Sequence, residues 1–145
     1  MPHSYSSALI HAVFSTKERQ PTIDDPEKLW AYIIGIEKNL GIRPMATGGI
    51  SNHVHLLFAL PGTLAFSVAI QKIKANSSRW MKARVPGFAW QEGFGAFSVS
   101  PSHVQAVTGY IRNQEQHHRQ RRFEDEFISM LEKAGIEYDP RYVFG

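Results

Sequence analysis

Ser51-Asn52-His53-Val54-His55-Leu56-Leu57-Phe58 is the stretch on which the reading of this chain turns. Its apolar residues predict a buried strand. Side chains along a strand alternate faces, so His53 and His55 must point the same way. Two neutral imidazoles aimed at one point are half of a metal site. Two polar residues on a solvated strand face would give the same pattern, so the pair needs a partner. It comes in Tyr110-Ile111-Arg112-Asn113-Gln114. On a helix this places a phenol and a carboxamide one turn apart on one face. Two histidines, a tyrosine and a glutamine point to metal-assisted phosphoryl chemistry with a covalent tyrosine intermediate.

Outward from the histidine strand, set at 53–60, the turn Ser51-Asn52 leads back to a strand over 42–50, and Pro61-Gly62 closes the far end. Residues 5–14 predict a first strand. Asp24-Asp25-Pro26-Glu27 predicts a helix start, with an apolar stripe from Leu29 to Leu40 and a stop at Gly41. A second helix is expected over about 63–83, burying Phe66, Ala69, Ile70, Ile73, Ser77 and Trp80 at offsets of three and four. Residues 88–99 predict a fourth strand, bulged at its glycines. Helices follow over about 102–120 and 123–134, and the tail from Ile136 has no periodicity. The order is that of an α+β, ferredoxin-like βαββαβ fold. It implies a four-stranded antiparallel sheet with helices on one face and an added C-terminal helix bearing the tyrosine. The first and third strands would be the central pair, which puts the histidines on a rigid support.

Composition bounds the alternatives. The 145 residues make one domain of ordinary size, 43% hydrophobic, and the absence of cysteine excludes disulfides and thiolate zinc sites. No segment approaches the roughly 20 apolar residues of a membrane span, and Met1-Pro2-His3-Ser4-Tyr5 lacks the pattern of a secretory signal, so a cytoplasmic location is expected. The net charge of +3 permits a polyanionic partner without requiring one. Two basic clusters stand out, Lys72 to Arg84 and His117-His118-Arg119-Gln120-Arg121-Arg122. Lys72, Arg79 and Lys82 fall on the exposed side of the second helix, where they could meet a phosphate backbone. Gly109, beside the tyrosine, costs about 1 kcal/mol in a helix and suggests that something bulky approaches there.

Leu57 stands where a histidine-triad hydrolase needs its third histidine, and the paired histidine-x-threonine motifs of two-histidine phosphoesterases are missing. His53-Val54-His55 with Tyr110 and Gln114 instead resembles the IS200/IS605-type transposases, single-tyrosine members of the HUH endonuclease superfamily; the REP-associated tyrosine transposases are similar. The resemblance extends to the strand ending in Phe14, to Gly49–Leu57, to Trp90-Gln91-Glu92-Gly93-Phe94 and to the run from Tyr110 to His118. It implies binding of single-stranded DNA with hairpin ends, which is cut and rejoined. It further implies a Mg²⁺ or Mn²⁺ ion held by His53, His55 and Gln114, and attack by Tyr110 to give a 5′-phosphotyrosine. The base that assists the phenol is not identified by sequence. Lys72, Arg79, Lys82, Arg119, Arg121 and Arg122 are the candidate DNA contacts. A homodimer is expected, in which the tyrosine helix of one subunit could serve the histidines of the other. Two other readings stand beside this one: a non-catalytic nucleic-acid-binding module on the same fold, such as a domesticated transposase, although the central strands lack the aromatic-rich motif on which RNA-recognition domains stack bases, and a zinc hydrolase built on His53, His55 and His117.

Overall fold

The computed structural model describes residues 5–144. The first four residues of the segment screened for a secretory signal lie outside them. The elements are β1 (Leu9–Ser15), α1 (Pro26–Asn39), β2 (Arg43–Ile50), β3 (His53–Ala59), α2 (Phe66–Arg84), β4 (Gly95–Ser98), α3 (Val104–Arg112), α4 (Gln114–His117) and α5 (Phe123–Lys133). The strands form one antiparallel sheet in the order β2-β3-β1-β4. β3 and β1 are therefore the central pair, and the α+β ferredoxin-like order is observed. Pro44 sits in β2, at an edge where a missing N–H is tolerated. Among the described residues no helix is long and apolar enough to cross a membrane.

Strand alternation divides the sheet into two packed faces. Ala12, Phe14, Val54, Leu56 and Phe58 point into a core shared with Leu29 and Ile33 of α1 and Ala69, Ile70, Ile73 and Met81 of α2. The opposite face carries His11, Val13, Ser15, His53, His55 and Leu57. It is covered by α3, α4 and α5, through Ile111 against Leu57 and Phe123, Phe127 and Leu131 against Val13. Both sides of β3 are thus buried, and a base-stacking sheet surface of the kind an RNA-recognition module needs is not available on it.

Three boundaries differ from the sequence reading. β1 begins at Leu9, leaving Tyr5 92% exposed. The fourth strand is only Gly95–Ser98, because the aromatic residues before it serve as core anchors instead. Phe88 and Trp90 insert beneath Phe14, with Trp90 4.7 Å from Phe14 and 5.0 Å from Phe88 between ring centroids. The Trp90 indole N–H donates to Ser77 Oγ at 3.0 Å, which explains a serine on the buried stripe of α2. Lys74 turns inward and donates to the carbonyls of Gln91 and Gly93, at 2.7 Å each. It is therefore turned away from the exposed side on which Lys72, Arg79 and Lys82 lie. Finally, the helix set at 102–120 breaks at Asn113 into α3 and α4.

Gly48 lets the α3 backbone reach the sheet. A Cβ there would lie 2.2 Å from the carbonyl oxygen of Ile111, the residue after Tyr110. Gly48→Ala is expected to push α3 off β2 and to destabilise the protein by about 1–3 kcal/mol in urea unfolding. An unchanged midpoint would disprove the close approach. Gly109, in contrast, faces open space, so nothing among the described residues requires a glycine there.

Glu37 of α1 is 1% exposed, and neither carboxylate oxygen finds a partner among the described residues. Burial pushes its carboxyl up from 4.5 to about 8. Between those values the unfolded chain has released a proton that the folded chain retains, so stability falls as pH rises through this window. Glu37→Met removes that dependence. Its advantage over the parent protein is expected to grow by on the order of 3 kcal/mol from pH ~4 to pH ~8. Urea titrations at the two pH values check this; a gap that does not change with pH refutes it.

Candidate active site

His53 and His55 are fully buried side by side on β3, with ring centroids 5.0 Å apart. β1 supplies a third imidazole: Val13 pairs with His55 and Leu57 with His11, so His11 is the diagonal neighbour of His55 on the same face. His11 Nε2 lies 2.9 Å from His55 Nδ1, and one of the two donates to the other. Burial, then the adjacent His55, pushes His11 down to about 3 and keeps it neutral. From the opposite layer α3 delivers Tyr110, whose ring centroid is 5.6 Å from that of His55. The phenol donates to Glu126 Oε2. Gln114, although beyond the break at Asn113, still reaches the pair, with Oε1 2.9 Å from His53 Nε2. Its amide N–H donates back to the Tyr110 carbonyl at 3.3 Å. The structure thus brings Tyr110, His53, His55 and Gln114 together within one chain.

Sequence reasoning missed three neighbours. Glu126 Oε1 lies 3.1 Å from His55 Nε2, 3.3 Å from His118 Nε2 and 3.7 Å from His53 Nε2. His118, not His117, is the histidine beside His53, with ring centroids 4.6 Å apart. The zinc reading is corrected accordingly: His117 is exposed and lies against the Tyr110 ring. The missed residues left traces. Glu126 interrupts the buried stripe of Phe123, Phe127 and Leu131, and His118 continues the four-residue spacing of Tyr110 and Gln114. His11 shares the parity of Val13 on an almost wholly buried strand.

Burial works to raise the Glu126 carboxyl. Its hydrogen bonds with His118 and His55, the positive potential of His55 and the Tyr110 phenol outweigh this, holding it well below the usual carboxylate range. It is therefore an anion beneath the sheet. Burial first, then the hydrogen bond and charge of Glu126, push the Tyr110 phenol well above its usual range, so the proton stays on the phenol in this state.

The donor set can be tested for a metal from its own hydrogen bonds. Asn52 Oδ1 accepts from His53 Nδ1 at 2.8 Å, which leaves a lone pair on Nε2. Burial, then His55, pushes His53 down to about 3, against the opposing pull of Gln114 and Glu126, so the ring is neutral. Its lone pair faces the acceptor oxygen of Gln114. Two lone pairs in contact repel unless a cation lies between them. His53, His55 and Glu126 offer ligand atoms that all lie within 4.8 Å of one another. Together with Gln114 they fit a divalent cation.

A cleft of about 890 Å³ opens beside this centre, between the α1 N-terminus and the β2 end at Gly48–Ser51. Arg112, His118 and Arg119 line its other side. Arg121 and Arg122 are exposed on the adjoining loop and both hold Asp125. Lys72, Arg79 and Lys82 are exposed on α2, in the layer across the sheet from the histidines, and are not brought to this site.

Residues 4–114 match the family described as transposase IS200 like. The chain belongs to this family. Two solved structures are similar to the transposase. One is a candidate transposase from Deinococcus radiodurans R1, at 20% identity and a TM-score of 0.63, covering 79% of this chain and 95% of that one. The other is a REP-associated tyrosine transposase bound to a REP hairpin, at 16% identity and a TM-score of 0.63, covering 81% of this chain and 73% of that one. At such identities they establish a shared fold. No curated protein matches the sequence. The matched span contains His53, His55, Tyr110 and Gln114 and stops before His118 and Glu126.

Proposed function

We propose that this transposase cuts and rejoins single-stranded DNA at hairpin-flanked ends through a 5′-phosphotyrosine on Tyr110. One observation carries the reading: the Tyr110 phenol and the His53–His55 pair share the Glu126 carboxylate within a single chain. His53, His55, Gln114 and Glu126 would hold a divalent cation, Mg²⁺ or Mn²⁺ in the first instance. A bound ion would polarise the scissile phosphate as a Lewis acid.

Glu126 Oε2 fixes the direction of the phenol and takes its proton as the new oxygen–phosphorus bond forms. The bond from phosphorus to the 3′-oxygen breaks, and that oxygen takes up the proton that Glu126 received from the phenol, leaving as a free 3′-hydroxyl. The phosphodiester energy is kept in the tyrosine ester, so a second 3′-hydroxyl can reverse the step and reseal the strand. Asn52 and His11 hold the rings of His53 and His55 in orientation. The groups converge within one chain, so a homodimer would serve to hold two DNA ends rather than to assemble a site. Arg119, Arg121 and Arg122 would make backbone contacts beside the centre. Lys72, Arg79 and Lys82 would serve only DNA that continues round to the far layer.

Labelling polarity tests the reading. Incubated with hairpin-flanked single-stranded DNA and Mn²⁺, the protein should become labelled on a denaturing gel by DNA tagged at its 3′ end. The same DNA tagged at its 5′ end should give a shortened free strand. Label transfer from the 5′ end refutes the polarity. Binding without any adduct favours the non-catalytic module.

A further inference from the structure

We infer that His118 is an additional ligand of the metal centre, and that the resulting three-imidazole set makes this transposase select a transition-metal dication over Mg²⁺. The inference rests on the metal-dependent reading above and deepens it by naming the ion class. His118 follows Gln114 by one helical turn, and its side chain is only 5% exposed. Its Nδ1 lies 2.7 Å from the carbonyl oxygen of Arg121. A carbonyl only accepts, so Nδ1 donates to it and Nε2 is the ring nitrogen turned toward the centre. That Nε2 lies 3.1 Å from Gln114 Oε1 and 3.3 Å from Glu126 Oε1. Both are acceptor oxygens, and each also faces His53 Nε2.

Three ring nitrogens, one carboxylate oxygen and one amide oxygen therefore converge, and the lone pair of His53 faces an acceptor oxygen. One dication in their midst satisfies all of them. Mg²⁺ demands near-ideal oxygen octahedra and dehydrates reluctantly, whereas imidazole ligands favour the divalent transition metals, of which Mn²⁺ is the weakest binder and Co²⁺ a tighter one. The third imidazole enters from the Arg121 turn, beyond the stretch that matches the family.

Calorimetric titration of the purified protein with Mg²⁺, Mn²⁺ and Co²⁺ alone tests this, without DNA. Mn²⁺ is expected to bind at least about 100-fold more tightly than Mg²⁺. His118→Ala should weaken Mn²⁺ by about 10- to 100-fold and change the visible absorption of bound Co²⁺. His117→Ala, next in sequence and exposed, should alter neither. A role for His118 in packing alone would leave the Co²⁺ spectrum in place. If wild type binds Mn²⁺ and His118→Ala binds it equally well, the ligand assignment is wrong while the metal centre survives. Equal affinity of wild type for Mg²⁺ and Mn²⁺ overturns the ion preference. If wild type binds no divalent ion at all, the metal-dependent reading falls with it.

Discussion

Tyr110→Phe is expected to abolish the covalent DNA adduct and to slow strand cleavage by at least about 10³-fold, since phenylalanine has no hydroxyl to attack phosphorus. The substitution removes one oxygen and keeps the ring that packs beside His55 and His117. It deletes the phenol hydrogen bond to Glu126, a bond to a charged acceptor worth about 1.5–3 kcal/mol. A modest loss of stability should therefore accompany the loss of chemistry, with Mn²⁺ binding intact because the phenol is not among the donors. Adduct yield, thermal unfolding and metal titration separate these effects. An adduct that persists in Tyr110→Phe removes Tyr110 from the mechanism, and a variant that no longer binds metal would mean that the phenol also shapes the centre.

Glu126→Gln is expected to produce the second largest effect. It preserves the shape of the side chain and removes the negative charge beside His53, His55 and His118. Loss of an anionic ligand should weaken divalent-ion binding by about 100-fold or more. For wild type at a Mn²⁺ concentration near one hundred times its dissociation constant, binding adds about 2.7 kcal/mol of stability. A 100-fold weaker site under the same conditions retains about 0.4 kcal/mol, so the melting shift on adding Mn²⁺ should nearly vanish. Adduct formation should fall as well, since the acceptor of the phenol proton is lost together with the ion. A Glu126→Gln protein that shows the wild-type Mn²⁺ shift would exclude the carboxylate as a ligand. A wild-type cleavage rate would exclude it as the group that holds the phenol.

The residue identities and their local periods already determined much of this protein. Alternation along 53–58 set His53 and His55 on one face, and the four-residue spacing set Tyr110 and Gln114 on another. Strand and helix periods in order implied the sheet in which β3 and β1 are central, because those signals are local and repeat along the chain. Phe88 and Trp90 show the limit of such signals: an aromatic run satisfies the pattern of a strand and of a core anchor alike, and only the space beneath Phe14 decided between them.

The completed site was a matter of tertiary structure. Gln114 survived a helix break that no propensity announced, since α3 is held against Gly48 by contact with another element. Glu126 comes from a separate helix, and His11 from a strand more than forty residues away from the pair. What placed the carboxylate at the imidazoles was the burial of Phe123, Phe127 and Leu131 against Val13, which leaves the intervening acid no direction but inward. Local sequence specifies which face a side chain takes; which faces meet is decided by the packing of distant apolar surfaces, and that packing is not written in any single segment.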